Sequence, residues 1–131
     1  MKALPNSTEW SKLIRPIHDA LYEKLVGTAG CGAFDGDCLI VAQALRSVLG
    51  GEIHVLVRPC GLADHAVVLK NGKLWDYDGP AHPMRFIKRF NRNERATCVS
   101  HRPIASGDLP DAARDDALAS RIAELLRAAL H

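Results

Sequence analysis

No run of apolar residues in this 131-residue chain is long enough to cross a membrane as a helix. Its charges nearly cancel, 17 basic against 15 acidic residues for a net +2, so charge gives no case for nucleic acid as a partner. Met1-Lys2-Ala3-Leu4-Pro5 lacks the apolar stretch of a signal peptide. The cytoplasm is therefore the default compartment, although export by a signal-free route leaves no mark on a sequence. There is no internal repeat and no low-complexity tract. Of the four cysteines (Cys31, Cys38, Cys60, Cys98), no two are close enough to form the knuckle of a structural zinc site. Without a secretory signal, free thiols are expected rather than disulfides. What is present is ordinary for a globular chain: 47% hydrophobic and 24% charged residues. One domain over residues 1–131 is expected, long enough to build a core without staples.

Local patterns divide the chain into helices and strands. Thr8 to Val26 has the spacing of a helix in two pieces. Pro16 falls in the first turn of the second, where its missing N–H costs nothing. Gly27 is expected to stop it, and Gly27 to Gly36 reads as a glycine-rich loop. A helix is predicted from about Asp37, its N-cap, to Leu49, ended by Gly50-Gly51, with Cys38, Val41, Ala42, Leu45 and Leu49 on one face. Ile53 to Arg58 reads as a strand. His65–Lys70 and Lys73–Tyr77 form a hairpin around Asn71-Gly72, the strongest short hairpin signal. Both faces of this hairpin carry apolar residues, which places it centrally in a sheet. Pro83 to Asn91 reads as a short basic helix, Ala96 to His101 as a strand, Ser106 to Pro110 as a turn, and Asp111 to Leu130 as a helix. The last carries an apolar stripe of Leu118, Ile122, Leu125 and Leu126. The fold class is α+β.

Cys38, His65 and the acidic residues after the hairpin turn carry the chemical signal. Cys38 opens a helix, where the dipole is positive and lowers a thiol's pKa. Backbone N–H groups of Gly36, Asp37 and Cys38 can form an oxyanion hole beside it. His65 starts a strand that continues Ala-Val-Val-Leu, so the ring is buried and needs a partner. A two-residue turn at Asn71-Gly72 pairs Lys70 with Lys73 and Val67 with Asp76. His65 then stands opposite Asp78 and diagonal to Asp76, with all three on one face. Either carboxylate can orient the imidazole, and the other simply ends the strand before Gly79-Pro80.

This order of Cys at a helix start, His on a strand and a polar residue on the next strand resembles the papain-like cysteine hydrolases. That superfamily includes papain-type, NlpC/P60 and C39-type peptidases and transglutaminase-like enzymes. The segment Asp35-Gly36-Asp37-Cys38-Leu39 is also similar to the nucleophile motif of ovarian-tumour-type deubiquitinases. Those are larger and place the His far later. The resemblance covers about Gly30 to Gly79. It implies a papain-like fold with the nucleophile helix on a small antiparallel sheet, flanked by N- and C-terminal helices. It implies a cysteine hydrolase or acyl transferase acting on an amide of a peptide or protein, with no cofactor or metal. In the NlpC/P60 pattern the third residue falls four positions after the turn glycine, which favours Asp76 over Asp78. The chain departs from that pattern in having Asp there instead of His, and it lacks papain's Gln ahead of the nucleophile.

Rival readings are few. Cys31 is a second candidate nucleophile, but it lies in the loop without a helix start. A zinc site from Cys31, Cys38, Cys60 and His65 has poor spacing. The basic segment Arg85, Lys88, Arg89, Arg92 and Arg95, with Phe86 and Phe90 anchoring it, is a solvated face or a contact for an acidic partner or phosphates. A non-catalytic papain-like binding module, using this segment or the C-terminal helix, is the alternative function. His18, His54, His82 and His101 show no partner in the sequence.

Overall fold

A computed structural model describes residues 4–29 and 37–130, with side chains assigned at 4–23 and 37–130. The elements in order are α1 (Ser7–Ile14), a 3-10 turn (Arg15–Ile17), α2 (His18–Ala29), α3 (Cys38–Leu49), β1 (Glu52–Val57), β2 (Ala63–Lys70), β3 (Lys73–Asp76), β4 (Gly79–Ala81), α4 (Pro83–Glu94), β5 (Ser100–Pro103) and α5 (Asp116–Leu130). The fold is α+β, with one antiparallel sheet in the order β4-β3-β2-β1-β5.

β2 is the central strand, as apolar residues on both of its faces require. Alternation sends Ala66 and Val68 to one face with α3, while Val67 and Leu69 go to the other with α4. On the first face α3 lies between the sheet and α5, and α1 and α2 complete the layer. The sequence predicts one apolar face for α3. In the structure Leu39, Ile40 and Ala44 are buried as well, because the helix is covered by strands on one side and α5 on the other. Phe86, Ile87 and Phe90 of α4 close the second face over Leu56, Val67 and Leu74.

The β2–β3 hairpin follows the expected register, Lys70 with Lys73, Leu69 with Leu74 and Val68 with Trp75. Asn71 and Gly72 both have positive φ (54° and 74°), as the tight Asn-Gly hairpin turn needs. β3 then ends at Asp76, earlier than Tyr77. The chain reverses through Tyr77-Asp78, and Asp76 pairs with Gly79 on a short edge strand, β4, that periodicity did not reveal. Pro80 is tolerated there because β4 is an edge. Trp10 pins this second turn. Its indole N–H donates to the Tyr77 carbonyl at 2.7 Å, and its ring lies against Gly79, where a Cβ would approach Trp10 Cδ1 to 2.7 Å.

Other boundaries move for identifiable reasons. α2 continues through Gly27 to Ala29 rather than stopping at that glycine. Pro16 sits in the 3-10 turn that joins the helices rather than inside the second. α4 extends to Glu94 and closes on Arg95 in the left-handed conformation (φ 53°). Residues 96–99 are not a strand. The Asn91 side chain engages both the N–H and the carbonyl of Cys98, replacing strand partners, and β5 starts only at Ser100. α5 starts at Asp116 rather than Asp111, with the Asp115 carboxylate accepting from the Leu118 N–H as a cap. Among the described residues no helix is long and apolar enough to cross a membrane.

Candidate active site

Cys38 is the first residue of α3 and is buried. Asp37 occupies the N-cap position and is fully buried, but its side chain makes no capping bond to the helix. The first N–H groups of any α-helix have no acceptor within the helix, so those of Cys38 and Leu39 stand at the positive end of α3. Of the expected backbone oxyanion donors, Asp37 and Cys38 are where the sequence places them. Gly36 lies outside the described residues, as does Cys31.

His65, on β2, is buried. Its Nε2–H donates to Oδ2 of Asp76 at 2.9 Å, and Asp76 is also buried. The Cys38 side chain is the other partner of the ring, acting on it as a hydrogen-bonding neighbour and through its charge. Phe90 of α4 stacks on the imidazole, with centroids 4.5 Å apart and planes 17° from parallel. Burial works against the charged ring. The hydrogen bonds to Asp76 and Cys38 and the charges of both outweigh it, and the His65 pKa rises to about 9. At neutral pH His65 is therefore an imidazolium between the Asp76 carboxylate and the Cys38 sulfur.

The two carboxylates that the sequence left in competition are separated by the early end of β3. Asp76 is the last residue of the strand and faces His65. Asp78 falls in the reversal toward β4 and is exposed. It contacts Asp76 through its backbone, the Asp78 N–H donating to Asp76 Oδ1 at 2.8 Å. The cross-strand placement of Asp78 opposite His65 assumes that β3 runs straight through Tyr77, and it does not. Of the two carboxylates, Asp76 is the one within hydrogen-bond distance of His65.

Sequence reasoning missed three contributors. Arg89 Nη2 lies 3.4 Å from Asp76 Oδ1 and donates to the Gly79 carbonyl at 2.9 Å. Phe90 covers the imidazole. Trp10, from α1, fixes the turn that follows Asp76. The signal for Arg89 was its position three residues after Phe86, on the edge of the buried face of α4. The basic segment is thus divided: Arg89 turns toward the site, while Arg85, Lys88, Arg92 and Arg95 are exposed.

The remaining thiols and histidines behave differently. Cys60 is exposed and free. Cys98 is buried, its thiol donates to Asp64 at 3.6 Å, and burial followed by the Asp64 charge pushes its pKa to about 12. Asp64, next to His65, is held by Arg58 Nε at 2.9 Å, which lowers its pKa. His18 meets the Tyr77 hydroxyl, and His54 and His101 contact each other through Nδ1 at 2.9 Å. Among the described residues no group of three or more His, Cys, Asp or Glu side chains is arranged to hold a metal ion. Beside the Tyr77-Asp78 turn an open cleft of about 470 Å³ runs along Trp10, Ile14, His18 and Asp19.

No protein-family model, no curated protein and no solved structure matches the chain. The case for a function therefore rests on the residues of the site.

Proposed function

We propose that the protein is a cysteine-dependent hydrolase or acyl transferase of papain-like design, acting on an amide bond in a peptide or protein. The observation that carries this reading is a buried imidazole held between a buried carboxylate at 2.9 Å and the thiol at the start of α3.

In this reading the Cys38 proton already resides on His65, and Cys38 attacks the amide carbonyl as the thiolate of that ion pair. The oxygen of the tetrahedral intermediate faces the N–H groups at the start of α3, where the helix dipole stabilises negative charge. His65 then gives its Nδ1 proton to the leaving amine, the C–N bond breaks, and a thioester remains on Cys38. Water, or an acceptor amine in acyl transfer, gives a proton back to His65 and attacks the thioester. Release of the acid or the new amide returns the proton to the Cys38–His65 pair. Asp76 keeps Nε2 protonated throughout, so that Nδ1 performs the transfers. Peptidase, deamidase and transglutaminase chemistry differ only in leaving group and acceptor.

The decisive experiment is alkylation by iodoacetamide between pH 5 and 8 with mass mapping of each cysteine. Cys38 should react well below pH 7 and faster than exposed Cys60, and Cys38→Ala should abolish turnover of a peptide-amide library. A Cys38 that reacts no faster than Cys60 across that range defeats the catalytic reading. It leaves the exposed basic face of α4 as the basis for a binding module.

A further inference from the structure

Asp76 is shared. Its Oδ2 accepts from His65, while its Oδ1 accepts from the Asp78 N–H at 2.8 Å and faces Arg89 Nη2 at 3.4 Å. Asp76 is the last residue of β3, and its second oxygen is held by the turn that follows and by α4 rather than by His65. Arg89 is well placed for this. Its Nη2 also grips the Gly79 carbonyl, the residue paired with Asp76, and its guanidinium lies 4.7 Å from the centre of the Phe86 ring. The next residue on α4 is Phe90, which stacks on His65. One turn of α4 therefore touches both the carboxylate and the imidazole.

We propose that Arg89 is a positioning residue for the Cys38–His65–Asp76 site: it fixes one oxygen of Asp76 and, as a second cation on that carboxylate, limits how much of its charge serves His65. The inference rests on the catalytic reading above. An anion shared by two cations holds each less tightly than it would hold one. Without such a limit, an imidazolium buried against Asp76 and a thiolate becomes too weak an acid to protonate a leaving amine near neutral pH. The other charged or titratable groups acting on the ring are Cys38 of α3 and, through charge on their own titrations, Asp64 of β2 and Asp78 of the β3–β4 turn. None of these is a cation; the positive charge that meets Asp76 from α4 is Arg89.

The test follows the His65 ring by NMR against pH in the native protein, Arg89→Met and Arg89→Lys. Arg89→Met should raise the His65 pKa by about one unit, a tenfold change in proton affinity. The alkaline limb of Cys38 alkylation should move by the same amount. Arg89→Lys keeps the charge and should restore most of the native value. If Arg89→Met does not fold, Arg89→Gln serves, since it retains donors toward Gly79 and Asp76 but carries no charge, and the same rise is expected. A His65 pKa that is unchanged or lowered in the folded neutral variant overturns the proposal. A Cys38 no more reactive than Cys60 in the native protein would defeat the catalytic reading instead, while the NMR result on Arg89 would still stand by itself.

Discussion

His65 Nε2 and Asp76 Oδ2 lie 2.9 Å apart with both side chains withdrawn from water, so the pair is a charged contact in a poorly solvating place. Asp76→Asn preserves the shape and removes the charge. The His65 pKa should fall from about 9, because burial then acts with much less opposition. The Cys38 thiolate should lose its cationic neighbour near neutral pH, and alkylation at pH 6 should slow by ten-fold or more. Asp78→Asn should matter less, since it keeps the backbone N–H bond to Asp76 and removes only a charge in an exposed turn. An alkylation profile moved by Asp78→Asn and not by Asp76→Asn would reverse the assignment.

The same pair makes stability depend on pH. The folded-state pKa of His65 lies above its ordinary value of 6.5, so the folded state holds this proton more tightly than the unfolded state does. Its contribution is fully present below pH 6.5 and is lost as pH rises through about 9. A rise of this size corresponds to about 3 kcal/mol. Chemical denaturation from pH 6 to 10 should show a decline in the native protein that is much flatter in Asp76→Asn. Equal slopes in the two proteins would mean that His65 is not charged in the fold.

The three described thiols should separate by environment. Cys98 is buried, donates to Asp64 and has a pKa of about 12, so it should resist iodoacetamide until the protein unfolds. Cys60 is exposed and should react as an ordinary thiol, gaining rate toward pH 8.5. Cys38 should lead at pH 6 despite its burial. Mass mapping after partial labelling reads the order directly.

Much of this arrangement was legible because it is local. The Asn71-Gly72 turn fixes the register of β2 and β3, and that register brings Asp76 to the face of His65, diagonal to it. The helix start at Cys38 was readable from Asp37, Gly50 and the apolar spacing between them. What escaped depends on contacts distant in sequence. The end of β3 at Asp76 is enforced by Trp10, 66 residues earlier, which holds the Tyr77 carbonyl and packs on Gly79. Arg89 looked like one more solvated cation because nothing within α4 reveals that its outer neighbour is a carboxylate on another strand. At Cys98, likewise, a side chain from α4, Asn91, captures both backbone groups that a strand would have used.

Gly79 is where backbone and packing constraints meet. Its φ is +92°, a conformation L side chains rarely adopt, and an added Cβ would come within 2.7 Å of the Trp10 ring. Gly79→Ala should destabilise the protein by about 2 kcal/mol or more, from backbone strain and overpacking together. Since Gly79 also pairs with Asp76 and accepts from Arg89, the substitution should lower Cys38 reactivity at pH 6 even where the protein stays folded. Thermal denaturation and alkylation measured on one sample separate the two effects.

The C-terminal helix should serve stability rather than chemistry. Leu118, Ile122 and Leu126 are buried as expected, with Ala119 and Ala123 beside them, whereas Leu125 is only partly covered. α5 packs on α3 within the same chain, so its apolar stripe needs no second copy to cover it. Full burial of each large aliphatic side chain is worth roughly 1.5–3 kcal/mol, so three of them approach the whole stability of a small domain. Truncation before Asp111 would also expose the face of α3 that carries Ile40 and Ala44 into the core. The truncated chain should therefore be largely unfolded by circular dichroism or associate through the bared face, with loss of selective Cys38 labelling as a consequence. Leu118→Ala is the milder version: a drop of about 2–5 kcal/mol in unfolding free energy, with the pH profile of Cys38 alkylation unchanged in the folded fraction. A Leu118→Ala protein of native stability but altered alkylation profile would show that α5 acts on the site itself and not through the core.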